Sequence, residues 1–142
     1  MTYRIREVDT SDEDVTETLA DLHRMTFFDA APIPAFDQGH WWIGYRGEEP
    51  VSFAALVPSD RYPCAGYFNR VGVTDGHRGH GLQLRHMRAL EARAKRNGWT
   101  QVVSDTTDNV PSANNFIAAG YWMLTPESPW ALPNSIYWIK DL

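Results

Sequence analysis

A mixed α+β sheet is the fold this sequence predicts, and three observations predict it. Short apolar, β-branched and aromatic runs recur along the chain, as strands do. Two stretches instead carry apolar residues at three- and four-residue spacing, the period of a helix packed on one face. Strands fall on both sides of one strand–loop–helix unit, which is not the strict alternation of a doubly wound sheet. With 142 residues, 43% hydrophobic and 22% charged, the chain reads as one domain, 1–142, with material for a substantial core.

In chain order, Tyr3 to Val8 alternates and predicts a first strand. Thr10 and Glu13 stand at capping-box spacing and open a helix carrying Val15, Leu19, Leu22 and Met25 at helical period. That helix fades near Phe28. The stretch from Asp29 to Gly39 contains Pro32 and Pro34, so it is a loop or a short helical turn. His40 to Tyr45 is an aromatic-rich strand, Gly47-Glu48-Glu49 a turn, and Val51 to Val57 the second strand of a hairpin. Gly66 to Val73 is the next strand. Thr100 to Ser104 is a short strand, Ser112 to Ala119 a short helix, and Tyr121 to Leu124 and Ile136 to Ile139 the final strands. The loop between those two carries Pro126, Pro129 and Pro133.

Composition excludes several classes. A formal net charge of -5 disfavours a general nucleic-acid binder, which shows a basic patch or stripe. One cysteine, Cys64, excludes an internal disulfide and a cysteine-rich zinc site. His77 and His80 are accompanied by no other ligand cluster, so no metal is expected. No apolar run reaches membrane-spanning length and no signal-peptide core follows Met1, so a cytoplasmic protein with no membrane role is the expectation.

Val71 to Asn97 organises the rest of the chain. Val71 and Val73 end a strand, Asp75 to Gly81 form a glycine-rich turn, and Leu84, Met87, Leu90 and Ala94 give the following helix its apolar face. Arg93, Lys95 and Arg96 suit the negative end of that helix, and Asn97-Gly98 supplies its stop. A glycine loop feeding a helix N-terminus is an anion site, because unpaired amides and the dipole both point outward there. The loop is not a P-loop, since no Gly-Lys-Ser/Thr follows, and it lacks the third glycine of a dinucleotide fingerprint.

Arg78-Gly79-His80-Gly81-Leu82-Gln83 instead resembles the pyrophosphate loop of the GCN5-related N-acetyltransferases (GNAT), whose pattern is Gln/Arg-x-x-Gly-x-Gly/Ala. Arg78 and Gly81 fit. Gln83 stands where that family usually has a small residue, and so either crowds the coenzyme or adds a hydrogen bond to it. A second segment, Asn109 to Tyr121, resembles the family pattern Asn-x-x-Ala-x-x-x-Tyr-x-x-x-Gly-Phe: Asn109 fits, Ser112 is a small stand-in for Ala, and Gly120-Tyr121 matches Gly-Phe. The family's tyrosine is here Phe116.

The resemblance implies a mainly antiparallel sheet with a central splayed strand pair flanked by helices. It implies acetyl-coenzyme A as acyl donor, with its pantetheine arm along Val71, Gly72 and Val73. Its pyrophosphate would lie on Arg78, Gly79, His80, Gly81, Leu82 and Gln83, and Asn109, Ser112 and Phe116 would line the same channel. The activity implied is direct acetyl transfer to a primary amine of a small molecule. A coenzyme-binding module without catalysis is the alternative of another class. An acetyltransferase acting on a protein, a charged transfer RNA or a modified nucleobase is a third, and a homodimer is left open.

Such a reaction sets chemical requirements. A lysine-like amine of pKa about 10.4 is neutral in roughly one part in two thousand at pH 7, so something must accept its proton. The strand Tyr67-Phe68-Asn69-Arg70 lacks the carboxylate that many relatives carry there. Asp105 is the candidate base, with Asp29, Asp37 and His40 as alternatives, and each has an ordinary reading as a turn or surface residue. Phe116 cannot protonate a departing thiolate, which leaves Ser112 and Tyr121 as fallback donors. Asp29, Phe36, His40, Trp41 and Trp42 are the expected acceptor wall, from the chain positions that relatives use for it, although core packing is the plainer reading of both tryptophans.

Overall fold

The computed structural model describes residues 2–28 and 30–142. Its elements are β1 (Tyr3–Val8), α1 (Glu13–Phe27), β2 (His40–Arg46), β3 (Glu49–Pro58), β4 (Ala65–Val73), α2 (Leu82–Arg96), β5 (Gln101–Thr106), α3 (Val110–Ala118), β6 (Trp122–Leu124) and β7 (Ile136–Asp141). The strands form one seven-stranded sheet in the order β1-β2-β3-β4-β5-β7-β6. Neighbours are antiparallel except β4 and β5, which run parallel.

Both faces of the sheet are covered. On one, α1 sets Leu19 and Leu22 against Trp41, Ile43, Phe53 and Ala55. On the other, α2 and α3 set Met87, Leu90, Ala94 and Phe116 against Trp42, Ala54, Leu56, Phe68, Val102 and Trp138. Successive strand residues point to opposite faces, so Trp41 and Trp42 belong to different layers. Burial on both faces also explains the nearly unbroken apolar run of β3, a pattern otherwise typical of parallel strands.

Local differences from the sequence reading have local causes. The first helix is capped by Asp12, whose carboxylate accepts from the Asp14 amide, and not by Thr10. Asp9 takes the amide and hydroxyl of Ser11 and holds the preceding residues in a turn. Further on, α3 begins two residues earlier than its apolar pattern suggests, because Asn109 caps it through the Ser112 amide and Pro111 fits a first turn. Strand β3 runs on to Pro58, past its last buried side chain Leu56, and β5 runs on to a buried Thr106, since ladder pairing with β4 and β7 continues there.

The decisive feature is where the sheet opens. Strands β4 and β5 pair only between Ala65–Tyr67 and Gln101–Val103. Beyond Tyr67, β4 stays with β3 while β5 stays with β7. A register shift opposite Ala55/Leu56 leaves Asn69 as an extra residue on β4, a bulge that adds twist and turns the strand away. At the fork, the Ser104 hydroxyl donates to the Phe68 carbonyl at 2.8 Å, buried, and replaces the ladder bond that the divergence removes.

Candidate functional site

The open side of β4 presents its backbone to the fork. The Thr74 amide donates to Val51 on β3, so by strand alternation Gly72 and Arg70 also pair toward β3. Val71 and Val73 therefore turn their amides and carbonyls toward the gap that β5 has left. The Val73 carbonyl already accepts from Arg78 Nε at 3.3 Å on that side.

Two adjoining cavities fill the gap. The larger, about 480 Å³, runs from Thr26 and Phe27 along Val71, Gly72 and Val73 to His77, Arg78, Gly79, Gly81, Leu82 and Gln83, with Asn109, Ser112 and Asn115 opposite. The smaller, about 220 Å³, continues to Arg70, Asn69, Phe68, Ser104, Asp105 and Phe116. Phe27, Val71, Asn109 and Ser112 border both. At Gly72 a Cβ would run into the Thr26 hydroxyl and the Phe53 ring, so glycine lets α1 lie directly against β4 and form the cleft wall.

At the far end, α2 starts without any side-chain cap. Gly81 is its N-cap in the left-handed region at φ 74, and Gly79 and Gly76 have φ 81 and 87. Such turns favour glycine, and they aim successive amides into one concavity. The uncapped amides and positive dipole end there suit a phosphate group. Gln83, the departure from the family's small residue, reaches across the cleft: its Nε2 donates to Ser112 Oγ at 2.9 Å, and its Oε1 accepts from Asn115 at 3.1 Å. Both groups of its amide thus tie α2 to α3.

At the near end stands Asp105, whose Oδ2 accepts from Tyr67 at 2.5 Å and from Trp130 Nε1 at 2.9 Å. Burial, and then the hydrogen bond to Asp105, push the Tyr67 phenol up, so Tyr67 remains a neutral donor. Neither hydrogen bond uses Oδ1, which stays open at the cavity wall. A third cavity, about 450 Å³, lies on the α1 face beyond this wall, between Val57, Arg61, Tyr67, Asn69 and Trp130.

The sequence reading placed other residues at the site that the fold carries elsewhere. Trp41 and Trp42 are 1% and 3% exposed and close the two core layers. Phe36 packs edge-on against Trp41. His40 faces Asn97 and Glu7 near the start of the sheet, in a surface cluster with Arg93. None of these four lines the cleft: Trp41 and Trp42 stand on a strand whose two faces are covered, Phe36 is held on Trp41, and His40 stays in its surface cluster. Asp29 lies outside the described residues. Asp37 is exposed and His80 packs on Tyr3. The Tyr121 hydroxyl turns away from the cleft to Glu91, which also holds Lys140, and burial followed by the Glu91 charge pushes its phenol up.

Phe116 is 2% exposed, stacked on Trp138 at 5.4 Å and edge-on to Tyr121 at 5.0 Å. One edge of it reaches the smaller cavity. Three site residues lack any local motif: Tyr67, Arg70 and Trp130. Trp130 sits in a proline-rich loop far along the chain, and only a lone aromatic among prolines marked it. Among the described residues, no group of three or more His, Cys, Asp or Glu side chains is placed to hold a metal ion. Nor is any described helix long and apolar enough to cross a membrane.

The model of the acetyltransferase (GNAT) family matches residues 3–121. No curated protein matches the chain at a significant level of sequence similarity. Among solved structures, a proposed acyl-CoA N-acyltransferase from Klebsiella pneumoniae is similar at 23% identity and TM-score 0.75, covering 99% of this chain and 98% of its own. A Bacillus subtilis acetyltransferase in complex with CoA is similar at 12% identity and TM-score 0.76, covering 99% of each chain. A GNAT family acetyltransferase from Elizabethkingia anophelis with acetyl-CoA bound is similar at 14% identity and TM-score 0.75, covering 99% of this chain and 98% of its own. At these identities the likeness is one of fold.

Proposed function

The chain belongs to the acetyltransferase (GNAT) family, and from that premise we propose that it transfers the acetyl group of acetyl-coenzyme A directly to the primary amine of a small molecule. The observation that carries this reading is the fork between β4 and β5. It leaves a free strand edge that ends at one side in an uncapped helix start and at the other in an open carboxylate oxygen. Support for the donor comes from relatives of the same fold solved with CoA or acetyl-CoA.

Acetyl-coenzyme A supplies an activated thioester, and the protein's residues do the rest. Amides at the start of α2 and the Arg78 guanidinium hold the diphosphate. The outward amides and carbonyls of Val71 and Val73 pair with the two amide groups of the pantetheine arm, as a further strand would. An amide of the same edge serves as the donor for the developing oxyanion. Asp105 Oδ1 attracts the ammonium group and takes its proton, directly or through water, while Tyr67 and Trp130 fix the carboxylate.

Phe116 supplies no proton. Ser112 Oγ accepts from Gln83, which leaves its own hydroxyl hydrogen free to point into the cleft toward the departing sulfur. A thiolate of ordinary pKa, about 8.5, leaves tolerably without full proton transfer, so a serine suffices there. In balance, a nitrogen–carbon bond forms and the carbon–sulfur bond breaks. The amine nitrogen gives up two protons, of which one reaches the sulfur and one reaches solvent.

The test is a screen of pooled amines with acetyl-coenzyme A, read by mass spectrometry, followed by pH–rate profiles. Asp105→Asn should lower kcat/KM about a hundredfold near pH 7, with partial recovery at high pH where the amine is already neutral. A wild-type profile for this variant would reduce Asp105 to a structural residue. Tight coenzyme binding with no amine acetylated would make the protein a binding module instead.

A further inference from the structure

Arg70 is a charge in the smaller cavity that the acetyl transfer itself does not use. Its Nη1 donates to the Asn69 carbonyl at 3.0 Å and to Asn69 Oδ1 at 3.1 Å, and its guanidinium lies 5.7 Å from the Phe27 ring centre. These contacts fix the side chain without neutralising it. Its Nε is buried with no hydrogen-bond partner, and no described carboxylate forms an ion pair with it. Its Nη2 has no hydrogen-bond partner among the described residues and is not buried, and Arg70 lines the smaller cavity.

A half-buried cation without a counter-charge costs free energy unless an anion meets it there. The coenzyme's diphosphate is not that anion. Its proposed seat lies beyond Val73, and three residues of extended strand separate Arg70 from Val73, about 10 Å. The anion must therefore arrive on the acceptor. Asp105 and Arg70 are the one carboxylate and the one guanidinium among the residues lining this cavity. One end of the acceptor is met by a negative group with a free oxygen, and another by a positive group with a free nitrogen.

We propose that the acceptor is a zwitterion, a free amino acid or an amino-acid-like molecule, whose ammonium group meets Asp105 and whose carboxylate meets Arg70. This rests on the acetyltransferase reading and narrows it from small amines to those that carry a carboxylate close to the amine. The remaining Nη2 can donate one charged hydrogen bond to a carboxylate, and Asn69 and Phe27 hold the guanidinium in place before the acceptor arrives. The third cavity, walled by Val57, Tyr67 and Trp130, meets the smaller one at Asn69.

The experiment pairs each amino acid with its decarboxylated amine, for example leucine with 3-methylbutylamine and phenylalanine with 2-phenylethylamine, using acetyl-coenzyme A and the whole chain. The expected result is a preference for the carboxylate-bearing member. In Arg70→Gln that preference in kcat/KM should fall about ten- to a hundredfold, chiefly through KM, as the loss of one charged hydrogen bond does. Arg70→Lys, which keeps the charge but not the planar group that Asn69 and Phe27 hold in place, should retain part of it. Thermal melts confirm that each variant is folded, and the lysine variant decides the matter if glutamine does not fold. An unchanged preference in a folded variant overturns the proposal. Acetylation of plain amines with amino acids ignored also overturns it and leaves the acetyltransferase reading standing. Acetylation of neither class, with coenzyme A bound tightly, overturns both.

Discussion

Phe116 stands where the family pattern carries a tyrosine, and it is the centre of an aromatic stack with Trp138, Tyr121 and Phe68. Its two surroundings make opposing demands on a hydroxyl. The stack is dry, and an unpaired hydroxyl there costs about 1–3 kcal/mol. The edge that reaches the smaller cavity gives the group an exit to solvent or sulfur. We expect Phe116→Tyr to stay within about 1 kcal/mol of the parent in urea unfolding, because the cavity takes the hydroxyl, and to raise turnover by supplying a proton donor. A loss above about 2 kcal/mol would show the new group pointing into the stack. Tyr67 and Trp130 carry no local signal, for a related reason. Each acts through Asp105, which lies 38 residues from Tyr67 and 25 from Trp130, and no local spacing encodes such a contact.

Elements were more legible than their ends. Hydrophobic period located α2, and its glycines located the turn before it, because both signals are local. At that turn, Gly81 has φ 74 and a Cβ there would meet nothing within 4 Å, so its requirement is conformational and not steric within the protein. Gly81→Ala should cost about 1–2 kcal/mol in stability through the left-handed backbone. It should weaken coenzyme A binding by more than tenfold, since the Cβ projects where a phosphate would approach. Calorimetry that finds unchanged affinity would move the anion site elsewhere. Deeper in α2, His86 is fully buried, bonded to Ser52 Oγ at 2.8 Å, and desolvation pushes its pKa down from 6.5 to about 3. The unfolded chain therefore takes up a proton near pH 6.5 that the folded chain refuses until near pH 3. Stability from this group is complete above pH 6.5 and falls by up to about 1.4 kcal/mol per pH unit below it. His86→Gln keeps a hydrogen-bonding group near Ser52 and cannot titrate. Between pH 6.5 and 5 it should lose about 2 kcal/mol less than the parent in urea melts. Equal losses would show that His86 has no part in the acid response.

At the scale of the molecule, the mainly antiparallel sheet and its splayed central pair follow from the resemblance that two motif segments carry, whereas the strand order came only with the assembled fold. The acceptor wall did not follow. His40, Trp41 and Trp42 stand on a strand covered on both faces, and alternation alone does not say that both layers are closed. What the assembled fold adds is a cleft whose walls come from α1, β4, α2 and α3, joined across the gap by the Gln83 bridge to Ser112 and Asn115. A ligand that fills such a gap stabilises the folded chain by mass action, about 2.7 kcal/mol at a hundred times its Kd. For a domain of 142 residues, whose unfolding entropy is about 0.3 kcal/mol/K, that corresponds to a rise in Tm of about 9 °C. Coenzyme A should produce this rise. The two ends of the site are separable in the same measurement, because ADP offers a diphosphate without a pantetheine arm. At equal concentration ADP should produce a smaller shift, since only the α2 start and Arg78 would hold it. Added salt should reduce the ADP shift proportionately more, as charge screening acts on the diphosphate and not on the backbone pairing along Val71 and Val73. Equal shifts for the two ligands would mean that the open edge of β4 contributes nothing to binding, and that the fork has some purpose other than to hold a strand-like arm.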